Sequence, residues 1–357
     1  MKTLSRRALG VLMALTLACS SLFACSSPAA EQAPESEPSQ PAEQPVDRTI
    51  TDMKGDEVTV PADNSTILTV NSVATQMVLM LGGQDCAATL GQGFQYDDGS
   101  LNQKMFPGLD DRRTFTRDDA TVENVAAVDP GLVVMDVEDT IATLRKSDIP
   151  SAYVSVTSPE TIMEAVDIIG AAIGGDAVAR ADAYRSYYET VLADIQAKSA
   201  KLPEEDKPIV LYLRSTENTT GAKSMPDNWI TSAGGVNAAA TLGLEGSRVD
   251  INVETIMNVN PAIIVCESEK VRDEILSGPA YAELDAVKNN AVYAAPFGTA
   301  VWSMGTAEAA LQLSWAATII NPELYADIDV DAVTTDFFKE FYGYDLSADE
   351  LDTIFHR

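Results

Sequence analysis

A fourteen-residue segment that occurs twice places the strongest constraint on this chain. The copies are residues 121–134, TVENVAAVDPGLVV, and residues 252–265, NVETIMNVNPAIIV. In each copy a glutamate, Glu123 or Glu254, lies seven residues before a proline. The pattern predicts a short helix that ends at the Asp-Pro or Asn-Pro pair, because the residue before proline is disfavoured in the helical region. The apolar run that follows predicts a buried strand. Two such units indicate two similar α/β lobes, which readily form a cleft between them.

The N-terminus has the pattern of a lipoprotein signal. Basic residues precede a short apolar stretch at 9–18, and residues 22–25, LFAC, resemble the motif in which Cys25 becomes lipidated. Cys19 is a weaker second candidate, and an alternative is that Cys25 is an ordinary thiol after a cleaved secretory signal. We expect general secretion rather than the twin-arginine route. Residues 26–47 are rich in Ser, Pro, Ala, Glu and Gln, which predicts a disordered tether.

Composition and helix–strand alternation predict the domain plan. A signal peptide (1–24) and a lipidated cysteine with its tether (25–47) precede an N-terminal lobe (48–168), a linker-helix region (169–202) and a C-terminal lobe (203–357). The longest helical pattern, from Asp176 to about Ser199, places apolar residues from Val178 to Ile195 at three-to-four spacing and lies between the repeated segments. Residues 48–60 predict an opening β-hairpin with its turn at 53–56. Ser158-Pro159 predicts the start of a helix, and a further helix is expected around 229–240. Strands that alternate with helices predict parallel α/β sheets.

Charge and residue counts exclude several functions. A formal net charge of −30 argues against nucleic-acid binding. The single histidine, His356, lies one residue from the end, which argues against a histidine metal site or a Ser-His-Asp triad. No nucleophile motif of the common hydrolases is present, so we expect no enzyme activity. Cys86 and Cys266 fall in different lobes, and we expect two buried free thiols rather than a bridge that locks the lobes together.

Taken together, these motifs resemble one family, the substrate-binding lipoproteins of ABC importers for iron–siderophore, haem and corrinoid complexes. The resemblance rests on the two repeated segments, the helix between them, and three later stretches. These stretches are residues 281–293, YAELDAVKNNAVY; residues 296–302, PFGTAVW; and Glu308, Trp315 and 321–323, NPE. It implies an α/β fold of two Rossmann-like lobes joined by a single long helix, as in class III periplasmic binding proteins. It also implies a monomer that holds its ligand between the lobes and moves little on binding.

The resemblance also implies contacts with partners. Glu123 and Glu254 would meet arginines of the permease, whose ATPase completes the importer. Two exposed carboxylates at a fixed separation would orient a basic partner. The alternative is that each glutamate is a first-turn helix residue favoured by the helix dipole.

Ligands of open α/β sheets bind beyond the carboxyl ends of strands. This rule points to residues 71–72, the loop at 94–96 and residues 136–138 in the first lobe, and to residues 214–219, the region of Glu267 and residues 297–302 in the second. Arg214 either binds a ligand anion or pairs with a local acid. The aromatic candidates either face the ligand or pack internally, and Trp315 is expected in the core. Arg112, Arg113 and Arg117 either bind an anionic chelate or are neutralised by flanking aspartates. The ligand-binding candidates are Ser72, Tyr96, Arg214, Trp229, Phe297 and Trp302.

The resulting expectation is an extracytoplasmic receptor, anchored to the cell membrane through Cys25, that delivers a ferric siderophore to an ABC permease. It has no cofactor of its own, because the chelate is the cargo. Corrinoid, haem and oxyanion receptors on the same scaffold remain alternatives, as does a surface sensor or adhesin that does not transport.

Overall fold

The computed structural model describes residues 46–357. The predicted signal peptide, Cys25 and most of the predicted tether lie outside these residues. Among the helices that the structure describes, none has both the length and the apolar character needed to cross a membrane.

A hairpin and a small parallel sheet form the first half. The elements are β1 (Arg48–Thr51), β2 (Glu57–Val60), β3 (Ile67–Thr69), α1 (Ser72–Met80), β4 (Leu90–Gly91), α2 (Leu101–Met105), β5 (Thr114–Phe115), α3 (Val122–Val128), β6 (Leu132–Met135), α4 (Glu138–Arg145) and β7 (Ser151–Tyr153). The predicted hairpin is confirmed, since β1 pairs antiparallel with β2. Parallel strands in the order β3-β6-β7 form the sheet. All of β6 is buried, as expected for a strand covered on both faces.

Two long helices connect this half to the next. α5 (Pro159–Ile173) begins at the predicted Ser158-Pro159, where Ser158 and Thr161 form a capping box. α6 (Asp176–Ser199) has the predicted bounds and packs against α5 on one side. Its buried residues include Tyr184 and Tyr188, but Val178 is 46% exposed and does not belong to the apolar stripe as predicted.

The second half contains the larger sheet. Its elements are β8 (Ile209–Ser215), β9 (Asn218–Thr219), α7 (Met225–Ser232), β10 (Val236–Asn237), α8 (Ala238–Thr241), β11 (Val249–Asp250), α9 (Val253–Val259), β12 (Ile263–Cys266), α10 (Glu269–Ser277), α11 (Asp285–Lys288), β13 (Val292–Ala294), α12 (Ala309–Ile320), α13 (Val330–Phe337) and α14 (Ala348–Ile354). Strands β8, β12 and β13 are parallel neighbours. The predicted single helix near 229–240 is wrong, because Gly234 at φ 83° ends α7 and a short strand precedes α8.

The repeated segments fold into equivalent units, α3–β6 and α9–β12. Each helix has seven residues and a side-chain N-cap, Thr121 in α3 and Asn252 in α9. The predicted helix ends are confirmed, but the reason differs from the expected extended residue before proline. Asp129 at φ 54° and Asn260 at φ 45° both adopt the left-handed conformation, which Asp and Asn tolerate better than most residues.

The two halves share one core. α6 packs against α12 and α7 as well as α5, so it joins the lobes as predicted. A continuous apolar cluster runs from the hairpin residue Ile50 through α6 to Ile354 in α14. The α/β class, with one main sheet in each half and a long connecting helix, is confirmed.

Candidate functional site

A cleft between the two halves lies at the carboxyl ends of their parallel strands. It encloses about 330 Å³, and polar and apolar side chains both line it. The lining residues are Asn71, Ser72, Val73, Ala74, Met77, Gln92, Arg117, Asp136, Val154 and Val156 from the first half, and Arg214, Glu267, Val301 and Met304 from the second. This location is where open α/β sheets bind ligands.

An ion pair forms the first-lobe wall of the cleft. Asp136 directly follows β6, and Arg117 comes from the loop before α3. The guanidinium donates from Nε to Oδ1 and from Nη2 to Oδ2, both at 2.7 Å. This bidentate hydrogen bond raises the pKa of Arg117. Arg117 therefore holds a full positive charge at the cleft, fixed by a carboxylate of its own lobe.

A second ion pair forms the opposite wall. Glu267 directly follows β12, and Arg214 lies near the end of the neighbouring β8. The Nε of Arg214 lies 3.0 Å from Oε2 of Glu267. Nη1 of Arg214 also donates to the carbonyl of Ser247 at 3.2 Å. Burial raises the pKa of Glu267, and the nearby Arg214 and Arg248 oppose that effect.

The recess continues beyond this second pair. An adjoining space of about 170 Å³ is lined by Arg214, Arg248, Glu267, Ser215 and Asn218. Three arginines, Arg117, Arg214 and Arg248, therefore border the cleft and its extension. Arginine suits planar or tetrahedral oxyanions, because its fork of donors matches their geometry.

Two of the predicted ligand residues, Ser72 and Arg214, lie in the cleft. Tyr96 lies elsewhere, because its hydroxyl donates to the carbonyl of Phe106 at 2.8 Å and accepts from the amide of Leu109 at 3.1 Å. It organises the long loop after β4. Phe297 is half-buried in a separate recess of about 280 Å³ beside α2 and α14.

The two tryptophans predicted as ligand surfaces are internal, and this corrects the prediction. Trp302 is 0% exposed, and its Nε1 donates to Glu308 at 2.6 Å. Trp229 is 2% exposed and donates to the carbonyl of Ser303 at 3.3 Å. Nothing in the sequence indicates that the indole N–H group of each tryptophan has a hydrogen-bond acceptor inside the protein. Trp315, at 8% exposure, lies in the core as predicted.

A buried polar network beneath the cleft joins the halves around Glu308. Its carboxylate accepts hydrogen bonds from Thr299, Trp302 and Tyr342. Gln76 of α1 donates to the Thr299 hydroxyl and accepts from the amide of Ala307 at 2.7 Å. Burial raises the pKa of Glu308 to about 7, although the surrounding hydrogen bonds lower it in part.

The two repeated glutamates lie on the surface. Glu123 and Glu254 are exposed at the second position of α3 and α9. Neither carboxylate forms an ion pair with any residue that the structure describes. Both positions favour a negative charge near a helix N-terminus, so the helix-dipole alternative also fits the geometry.

The remaining candidates have internal partners. Arg113 pairs with the flanking Asp119 at 3.2 Å, as the alternative of a self-neutralised loop predicts. His356 contacts the carbonyl of Ala295 at 3.0 Å. Cys86 and Cys266 are free, but only Cys266 is fully buried, so the prediction for Cys86 is wrong in part. Within residues 46–357, no group of three or more His, Cys, Asp or Glu is arranged to hold a metal ion.

A larger groove of about 740 Å³ lies outside the cleft. It runs between α6 and the segment around α13, with Tyr187, Val191 and Val333 among its walls. Helix sides form this groove, and none of the predicted ligand residues lines it. The cleft at the strand ends is therefore the better candidate for the ligand site.

The strand-end rule points to residues 136–138 and to the region of Glu267, but the candidate ligand contacts include neither acid. Asp136 lies thirteen residues after Glu123, and Glu267 lies thirteen residues after Glu254. The repeat therefore carried a signal for an acidic residue after each strand. Met77, Val301 and Met304 had no such signal, because apolar residues of this kind occur throughout the core.

Comparisons with known proteins agree with the two-lobe fold. A family model described as "Periplasmic binding protein" matches residues 67–299. The molybdate-binding protein MolA of Haemophilus influenzae is 27% identical over 173 residues, which cover 47% of this chain and 46% of MolA. A cobalamin-binding protein of Halobacterium salinarum is 24% identical over 245 residues, which cover 66% of this chain and 63% of that protein. The alignments thus span about half to two thirds of these relatives.

A solved structure supports the fold over a longer span. The periplasmic solute binding protein of Veillonella parvula superimposes with a TM-score of 0.75 at 25% identity, covering 87% of this chain and 97% of that one. The matched family region contains both repeated segments and every cleft-lining residue except Val301 and Met304. The chain belongs to the periplasmic binding protein family.

Proposed function

We propose that this protein is an extracytoplasmic receptor that holds a ferric siderophore in the cleft and delivers it to an ABC permease. The observation that carries the proposal is the arginine-bordered cleft between two lobes. Arg117 and Arg214 line it from opposite lobes, and Arg248 lines its extension. An anionic catecholate chelate of iron presents oxygen atoms on several faces, which suits donors from both sides.

The size of the cleft also favours a compact ligand. Its volume of about 330 Å³ lies at the lower end of the range for small-molecule sites, roughly 300–1,000 Å³. Haem and corrinoids are macrocycles with at most two anionic groups, so they engage the three arginines less fully than a ferric catecholate does. We therefore rank them after a siderophore, although a relative is named as a cobalamin-binding protein.

A molybdate-type oxyanion is the second candidate. A relative is named as a molybdate-binding protein, and the three arginines offer tetrahedral oxyanions several donors. A surface sensor that does not transport is a further alternative. A transport assay distinguishes such a sensor from a receptor that delivers its ligand to a permease. We propose no catalytic step, and we propose a monomer tethered to the membrane through Cys25.

Binding to the permease is assigned to Glu123 and Glu254. Their exposure, their equivalent helices and their lack of a partner among the described residues support this assignment. Charged groups at the rim of an interface act mainly on orientation and association rate, so a basic permease surface would respond to both together.

Isothermal titration of the soluble fragment 46–357 tests the ligand. The panel holds a ferric catecholate siderophore, a ferric hydroxamate siderophore, molybdate, haem, cobalamin and cobinamide. We expect saturable binding of the ferric catecholate, with Arg214→Gln weakening it and Arg272→Gln, whose guanidinium contacts Glu269 and Asp273 away from the cleft, serving as the matched control. Binding of cobalamin alone would mean that the ligand is a corrinoid and not a siderophore. Binding of no compound in the panel would reject the receptor proposal.

A transport assay in whole cells tests the docking assignment. The double variant Glu123→Arg/Glu254→Arg is expected to abolish ligand uptake while leaving the affinity of the soluble fragment unchanged. The double variant Glu57→Arg/Glu205→Arg, at two other exposed positions, controls for the same change in net charge. Normal uptake by the double variant would refute docking through these glutamates.

A further inference from the structure

We propose that Asp136 and Glu267 are internal counter-ions that occupy the cleft arginines and compete with the ligand for them. This inference rests on the proposed function and deepens it, because it states what the ligand must displace. The receptor would then select ligands that carry negative charge on two opposite faces, one for Arg117 and one for Arg214.

The first argument is the equivalence of the two acids. Each directly follows the buried strand of a repeated unit, β6 or β12, at the same distance from its surface glutamate. Each lines the cleft and contacts an arginine of its own lobe. The fold therefore places one neutralised arginine on each wall of the same cavity.

The second argument is the state of the pair in the second lobe. The Nε of Arg214 and the Oε2 of Glu267 are buried and 3.0 Å apart, yet neither atom has a hydrogen-bond partner among the described residues. A second contact between the side chains, from Nη2 to Oε1, is long at 3.5 Å. This pair is close enough for charge attraction but poorly aligned, so donor capacity remains for an incoming oxyanion.

The third argument is what the pairing does to competing solutes. In the free protein each arginine already has an anion, so a weakly charged solute gains little by entering. A ligand with several anionic oxygens replaces a misaligned or partly exposed carboxylate with better-placed acceptors. The acids thereby reduce affinity for every anion, so only a ligand with enough well-placed anionic oxygens to replace both carboxylates binds tightly, which is discrimination by competition.

The experiment uses the variants Asp136→Asn and Glu267→Gln, which keep side-chain shape but remove the charge. The control is Asp118→Asn, which removes the same charge beside Arg117 from a residue without an ion pair in the described chain. The probes are a ferric catecholate siderophore, molybdate and an uncharged ferric hydroxamate siderophore. Titration calorimetry gives Kd, and thermal melting verifies folding of each variant.

We expect Asp136→Asn to lower the Kd of the anionic probes by roughly threefold and Glu267→Gln by roughly tenfold, since the second pair is more buried. Asp118→Asn should leave Kd unchanged, and the hydroxamate should respond to none of the variants. Unchanged or raised Kd values in folded Asp136→Asn and Glu267→Gln would overturn the counter-ion role while the receptor function stands. Binding of the hydroxamate alone would also overturn it. Binding of no probe and of none of the wider panel would instead reject the proposed function itself.

Discussion

The buried carboxyl group of Glu308 should make the stability of the protein fall as pH rises. Glu308 is 0% exposed and accepts hydrogen bonds from Thr299 Oγ1 at 2.6 Å, Trp302 Nε1 at 2.6 Å and Tyr342 at 3.0 Å. No lysine, arginine or histidine of the described chain pairs with it. Desolvation therefore dominates and raises its pKa from 4.5 to about 7.

The sign and size of the effect follow from proton linkage. Above pH 4.5 the unfolded carboxyl group loses its proton, whereas the folded one keeps it until about pH 7. The folded state binds more protons in this window, so the free energy of unfolding decreases with pH. One pKa unit corresponds to about 1.4 kcal/mol, and integration from pH 5 to pH 8 gives a loss of about 2.5 kcal/mol.

The variant Glu308→Gln removes this titration. The glutamine amide puts an N–H group where the carboxylate accepts a hydrogen bond, which shifts the free energy of unfolding by the same amount at every pH. The measurement is urea unfolding of wild type and variant at pH 5, 6, 7 and 8, followed by tryptophan fluorescence. The wild-type minus variant difference in unfolding free energy should decrease by about 2.5 kcal/mol across the series, because the other titrations of this acidic chain cancel.

Glu350→Gln is the matched control. Burial acts to raise the pKa of Glu350, but hydrogen bonds from Ser347, Lys104 and Tyr344 outweigh it and lower the pKa to about 2. Folded and unfolded forms are therefore both ionised for most of this pH range, and the difference from wild type should stay flat. A flat difference for Glu308→Gln as well would refute the reasoning, since it would mean that the hydrogen bonds offset desolvation.

Three further predictions concern packing and thiol access. Asp52→Ala should lower the unfolding free energy by about 3 kcal/mol in urea titrations, because Asp52 is 3% exposed and joins the hairpin to Arg145 at 2.6 Å; a loss under 1 kcal/mol would contradict this. Gly91→Ala should cost about 1–3 kcal/mol in the same assay, because a Cβ there overlaps the main chain of Asn71, and wild-type stability would disprove the overlap. In the fragment 46–357, Cys86 should react with a thiol reagent well before Cys266, whose pKa burial raises to about 12; equal rates would argue otherwise.

Periodicity predicted the framework because each element carries its own local signal. The bounds of α6 and β12 follow directly from apolar spacing, and the hairpin follows from two short alternating runs around Gly55. The signal failed where a tertiary partner decides the outcome. Trp302 follows a loop near the strand ends, as a ligand residue would, but Glu308, six residues later, provides an internal acceptor. The short connection between them carries no pattern that shows which way the indole turns.

The ion pairs of the cleft show how far an internal repeat can be used for prediction. The repeat fixes the acids, since Asp136 and Glu267 occupy equivalent positions after β6 and β12. It does not fix the arginines. In the second lobe β8 pairs with β12, Leu213 opposite Cys266, and Arg214 continues beside Glu267. The matching register in the first lobe, extended from Thr69 opposite Val134, brings Asn71 beside Asp136.

The first-lobe arginine, Arg117, therefore comes from outside the sheet, from the loop between β5 and α3. Only the folded path of that loop brings the guanidinium of Arg117 to Asp136. Both walls of the cleft therefore pair an acid with an arginine. The arginine comes from a loop in the first lobe and from a strand in the second. A change in the first-lobe loop should thus alter one wall independently of the other, whereas a change at Arg214 acts from within the sheet itself.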